Sequence, residues 1–172
     1  MSGFSIILHP TDLSDCSMAA FRMACQIAQE GARNAVWVWC PNAADVPAQS
    51  WNHWSNYYPG DAYVDWVAVD AYNWGNTQSW SSWSDLAPMI TPMYSDYAAR
   101  KPIMVAETAS TEHGGNKAGW LRAVQTALKS TFPSVAALVY FDQAKELDWQ
   151  VDSSSSSLSA FKALANDRYF RA

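Results

Sequence analysis

Short apolar runs alternate with amphipathic stretches along this chain, and that alternation limits the fold more than any other feature of the sequence. Residues 4–9, 35–40, 63–72, 102–107 and 135–141 read as strands. Helical patterns fall between and after them, over residues 14–30, within 84–100, over 117–130 and over 158–166. In the first helix Met18, Phe21, Cys25 and Ala28 recur at steps of three and four, which gathers them on one face. Pro88 and Pro92 are expected to kink or divide the second. Strict β-α alternation implies parallel strands joined by right-handed crossovers. The expected class is therefore α/β, in one domain over residues 1–172. That length can bury a sizeable core. It is short for a complete (β/α)8 barrel, which takes about 250 residues.

Strands covered by helices on their faces read as continuous apolar runs, and residues 102–107 form such a run, ending on Glu107. In barrels of this class the chemistry gathers at the C-terminal ends of the strands. A carboxylate placed there, in a chain with ten Trp, eight Tyr and six Phe, points to sugar chemistry. Composition narrows the alternatives. The net charge is −5, with Lys and Arg scattered, so no nucleic-acid or anionic-membrane partner is expected. Cys16, Cys25 and Cys40 lack zinc-ligand spacing and are expected as reduced, mostly buried thiols. His9, His53 and His113 share no ligand spacing either, so neither metal nor cofactor is expected. Gly114 and Gly115 follow no nucleotide fingerprint; they are expected to make a turn, with Asn116 capping the next helix. The N-terminus carries no signal-peptide pattern and no run nears the roughly 20 apolar residues of a membrane span, so a cytoplasmic location is expected. Residues 153–157 form a serine tract, expected as a solvated loop.

Several segments together resemble the C-terminal half of glycoside hydrolase family 26, the β-mannanase-type retaining barrels. They are Val36-Trp37-Val38-Trp39-Cys40-Pro41-Asn42, Tyr58-Pro59-Gly60-Asp61, the run from Tyr63 through Asp70, Tyr72 and Asn73, and Lys101-Pro102 through Glu107 to Ser110. Lys117-Ala118-Gly119-Trp120, Ala137-Leu138-Val139-Tyr140-Phe141-Asp142 and Asp148-Trp149 continue the series in family order. The resemblance covers residues 35–172 and implies a partial TIM barrel, a half-barrel of about five parallel strands. Its acid/base strand, marked in the family by a His-Glu pair and a following Asn, has no counterpart here. Residues 1–32 instead resemble the first β-α unit of universal stress proteins, on Ile7-Leu8-His9-Pro10-Thr11-Asp12-Leu13-Ser14 and the Ala19-Ala20-Phe21-Arg22-Met23-Ala24 that follows. The Gly-rich phosphate loop of those proteins is absent, so no nucleotide is expected. The implied whole is a chimera of the two.

The family resemblance makes Glu107 the nucleophile, Tyr72 the residue that hydrogen-bonds and aims it, and Trp149 the aromatic platform beneath the sugar. The plain alternatives are a solvated strand-end carboxylate and a core tyrosine. Gln150 stands where mannanases usually carry Arg. Asp70 shares a strand face with Tyr72, which suits either a sugar hydroxyl or a structural ion pair. Trp37, Trp39, Trp66 and Trp120 read as core, whereas Trp51, Trp54, Tyr57, Trp74, Trp80 and Trp83 fall in loops, where exposed aromatics serve binding. The acid that must accompany the nucleophile in glycoside hydrolysis stays open among the carboxylates Asp142, Asp70, Glu112 and Asp12 and the imidazole of His9. Two readings result: a minimal β-glycosidase on a carbohydrate substrate, or an inactive carbohydrate-binding or structural half-barrel. Open sheet edges further imply a homodimer.

Overall fold

The computed structural model describes residues 5–8, in backbone alone, and residues 35–170. The expected helix over 14–30, together with His9, Asp12, Cys16 and Cys25, lies outside the described residues. Five strands form one sheet: β1 (Ser5–Leu8), β2 (Ala35–Trp39), β3 (Trp66–Asn73), β4 (Ile103–Ser110) and β5 (Val135–Tyr140). Every neighbouring pair is parallel, and the order in the sheet is the order in the chain. A doubly wound sheet reverses its order at a switch point; this one does not, so it winds in one direction, as an arc of a (β/α)8 barrel does.

Among the described residues three α-helices each follow one of the last three strands: α1 (Leu86–Tyr97), α2 (Lys117–Ser130) and α3 (Ser155–Asn166). The prolines do not divide α1. Pro88 occupies its first turn, where the backbone N–H has no intrahelical partner, and Pro92 removes one bond on the exposed side. Asn116 caps α2 as expected, its side-chain oxygen accepting the Gly119 N–H at 2.9 Å.

Val67, Val69 and Ala71 of β3 and Ile103 and Val105 of β4 meet Leu86, Ile90 and Met93 of α1 and Trp120, Leu121 and Val124 of α2 in the main core. Alternate residues turn the other way, and Val38, Ala68 and Ala106 make a smaller cluster with Cys40, Trp66 and Met104 on the inner face of the arc. Burying these two faces is what fixes the register, since a one-residue slip would exchange them.

β4 runs three residues past Glu107. Its polar end is buried because each group finds a partner: the Thr108 hydroxyl donates to the Ala71 carbonyl at 2.6 Å, and the Asn73 amide donates to the Ser110 hydroxyl at 2.9 Å.

Candidate active site

Strict alternation along β4 would turn Glu107 outward with Ile103 and Val105, into the helices. A bulge prevents this. Val105 pairs with Val69, but Glu107 pairs with Asp70, so Ala106 is an extra residue on β4. Ala106 packs on the inner face and Glu107 follows on the same side, exposed at the sheet's C-terminal end. There the Tyr72 hydroxyl donates to Glu107 Oε2 at 2.7 Å. Burial and the adjoining carboxylate raise the Tyr72 hydroxyl well above the ordinary phenol value, so it remains a donor.

Asp70 lies beside Glu107 on the adjacent strand. The Cys40 thiol, just past the end of β2, donates to Asp70 Oδ1 at 3.2 Å. Burial comes first in raising the Asp70 carboxyl to about 6, and the charge of Glu107 adds to it, against hydrogen bonds from Cys40 and the Glu107 backbone N–H. The thiol itself is pushed up by burial and by Asp70, which keeps it protonated. Cys40 is thus a positioned donor rather than an inert thiol. The signal was its parity: it shares the inner face with Val38.

The aromatic residues form a chain of contacts leading away from Glu107. The Trp149 ring lies 5.2 Å from that of Tyr72 and 5.0 Å from that of Trp74, which in turn lies 5.5 Å from Trp80. Trp149 is 1% exposed and Trp80 is 70% exposed. A platform needs a bare face, so in this arrangement Trp149 supports Tyr72 and Trp74, while Trp80 offers the open ring. Asn73 holds the loop between them, its side-chain oxygen accepting the N–H groups of Gly75 (3.1 Å) and Ser84 (3.0 Å). Gly75 has φ +55, and a Cβ there would stand 1.8 Å from the His113 carbonyl oxygen, so only glycine fits. The other loop aromatics divide. Trp54 and Trp83 join the core, whereas Trp51 and Tyr57 stay exposed.

The serine tract is not a solvated loop. Ser154 caps α3, and the hydroxyls of Ser153, Ser154 and Ser157 all donate to Glu112 Oε1, at 3.0, 2.8 and 2.6 Å. Those bonds outweigh burial and pull the Glu112 carboxyl down. Beside it, fully buried Lys117 donates to the carbonyls of Trp149 (3.2 Å) and Gln150 (2.6 Å) and to the Ser153 hydroxyl (3.0 Å). Glu112 and Lys117 therefore hold the segment that carries Trp149. Asp142, another candidate acid, accepts the Val151 N–H at 2.8 Å. Glu146, which the sequence did not single out, adds its charge to those acting on Tyr72. Its own carboxyl is pulled down by its backbone N–H and Lys145, with the Trp149 side chain contributing. Among the described residues no cluster of His, Cys, Asp and Glu is arranged to hold a metal ion. No described helix is long and apolar enough to cross a membrane.

Residues 21–169 match the glycosyl hydrolase family 26 pattern. The chain belongs to glycosyl hydrolase family 26. The family match begins inside the segment, residues 1–32, that resembles universal stress proteins. Endoglucanase H of Acetivibrio thermocellus is 39% identical over 148 residues, covering 84% of this chain and 16% of that protein. Solved structures agree on the fold. The catalytic domain of a family 26 endo-β-1,4-mannanase from Bacillus sp. JAMB-750 aligns with a TM-score of 0.61 at 18% identity, over 89% of this chain and 43% of that one. A β-mannanase of the same family from Bacteroides ovatus gives 0.59 at 16% identity, over 90% and 43%. This family 26 chain thus spans less than half the length of the mannanases it matches and about a sixth of Endoglucanase H.

Proposed function

We propose that this family 26 chain carries the nucleophile side of a retaining β-glycoside hydrolase of the mannanase type, with Glu107 as nucleophile and Tyr72 as its positioning residue. The observation that carries the reading is the 2.7 Å bond from the Tyr72 hydroxyl to Glu107 Oε2 at the C-terminal end of a barrel-type sheet. One carboxylate oxygen is held by that bond, and the other is presented to the anomeric carbon. Attack there forms a glycosyl ester as the aglycone leaves, and water then hydrolyses the ester. Trp74 and Trp80 stack the apolar faces of the sugar rings, with Trp149 behind Trp74. Asp70 lies within reach of a sugar bound over Glu107.

A screen of aryl β-glycosides tests the reading. The wild type turns over substrates with activated leaving groups, and Glu107→Ala abolishes that turnover; equal rates would refute the assignment. The rival reading, an inactive carbohydrate-binding piece, predicts sugar binding without turnover in the same screen.

Two further parts belong to this proposal. Residues 1–32 are of universal stress protein-like origin, joined to a family 26 half-barrel, and the chain self-associates as a homodimer. The outer flank of β5, where Val139 is 50% exposed, has no neighbouring strand among the described residues, a condition that favours association. Sedimentation should show a concentration-dependent dimer; a monomer at every concentration would exclude it.

A further inference from the structure

We propose that the loop between β2 and β3 carries a second polysaccharide-contacting surface, built on Trp51 and Tyr57 and separate from the Trp74–Trp80 row. It rests on the glycosidase reading above only for the kind of polymer expected.

The chemistry of the loop is the first support. From Val46 to Gly60 it has no Asp, Glu, Lys or Arg, in a chain where 16% of residues carry charge. Aromatic rings, amides and hydroxyls take their place. The charges that flank the loop are engaged: Asp45 accepts the Trp54 N–H at 3.0 Å, and Asp61 pairs with Arg100. Nothing here draws an ionic polymer or an anionic surface. An uncharged polysaccharide fits, since its C–H faces lie on aromatic rings and its hydroxyls meet amides.

The construction of the loop is the second support. Trp54 is its buried root, packed against Trp39 and Tyr97. The Asn52 amide donates to the Pro47 carbonyl at 3.0 Å, and its side-chain oxygen accepts the Tyr57 hydroxyl at 3.0 Å. The Asn56 amide donates to the carbonyls of Ser50 (2.9 Å) and Trp51 (3.2 Å). These bonds draw the two limbs of the loop together and leave Trp51 64% and Tyr57 39% exposed. Neither ring joins the contacts that run from Tyr72 to Trp80. Exposed Gln49 and Asn56 stand beside them, with the Gln49 amide and the Asn56 oxygen outside these bonds. A single exposed ring is ordinary. Two rings on a loop held this way are ordered by folding rather than by binding, which is what recognition gains from preorganisation.

Electrophoresis of the native protein through gels containing hydroxyethylcellulose, a neutral β-glucan, or a soluble β-mannan tests this. All variants are compared in the Glu107→Ala background, so that no polymer is cleaved. At least one polymer should retard the parent, and the one that does names the backbone. Adding Trp51→Ala should weaken its affinity about tenfold, the effect of removing one aromatic anchor, and Trp51→Phe should keep part of it. Trp80→Ala should weaken binding independently, so that the losses multiply in the double variant. With Glu107 restored, Trp51→Ala should leave the melting temperature and the turnover of aryl β-glycosides unchanged and slow attack on the retarding polymer. Equal retardation with and without Trp51, or no retardation by either polymer, would overturn the inference while leaving Glu107 in its role. A change in sedimentation with no change in retardation would make the loop a contact between copies and overturn it as well. Trp51-dependent retardation in a chain that turns over no aryl glycoside would remove the reaction and keep the surface.

Discussion

Tyr72 meets Glu107 through its hydroxyl and Trp149 through its ring, so it joins the polar and aromatic parts of the site in one side chain. Tyr72→Phe keeps the ring and removes the donor. By analogy with the loss of one preorganised donor, kcat should fall about 10²-fold with KM little changed, as steady-state kinetics would show. Asp70 gives a prediction that needs no activity. Folded, it holds its proton up to about 6; unfolded, it releases it near the ordinary Asp value of 3.8. Its contribution to stability is therefore complete below about 3.8 and is lost as pH rises toward 6. Asp70→Asn removes that loss, so the variant's melting temperature should gain on the wild type's between pH 4 and 6 and hold a constant lead above. A constant difference across the range would contradict the burial described. At this scale the sequence showed Glu107, Tyr72 and Asp70 by motif and parity. It did not show how Glu107 faces inward, because alternation from Ile103 and Val105 points it at the helices and only the bulge at Ala106 corrects the direction.

Glu112, Lys117 and the serines at the start of α3 show how elements are tied behind the site. Serine runs read as solvated because a hydroxyl finds water easily. Here a carboxylate on the loop between β4 and α2 gathers three of those hydroxyls and the run becomes an anchored helix start. That pairing spans more than 40 residues of sequence, so no local pattern could reveal it. The same holds for Lys117, which looks like an ordinary first-turn lysine yet is wholly buried against two carbonyls and a hydroxyl. Lys117→Met should destabilise the fold by about 3 kcal/mol, since acceptors and the nearby Glu112 lose their compensating charge. The denaturant midpoint reads this directly, and a shift within error would show that water replaces the ammonium. Periodicity was sufficient for α2, whose apolar face and Asn116 cap both lie in contiguous sequence. It overstated the effect of the prolines in α1, because their cost depends on the turn they occupy.

At the scale of the molecule, five parallel strands in chain order make an arc rather than a closed barrel among the described residues. Strand order was legible because β-α alternation leaves few topologies open. The family was legible from motifs spread over residues 35–149, and the family match reaches further back, to residue 21. Closure was not legible, because it depends on what lies along the edges of β1 and β5.

The ring contacts from Tyr72 through Trp149 and Trp74 to Trp80 have an optical consequence. Three indoles in a row at 5.0 and 5.5 Å exchange excitation, and the outermost ring is the one open to solvent. A sugar settling on Trp80 would dry that end of the array and alter the emission of all three. The site thus carries its own reporter, and in Glu107→Ala it can record occupancy when no product forms.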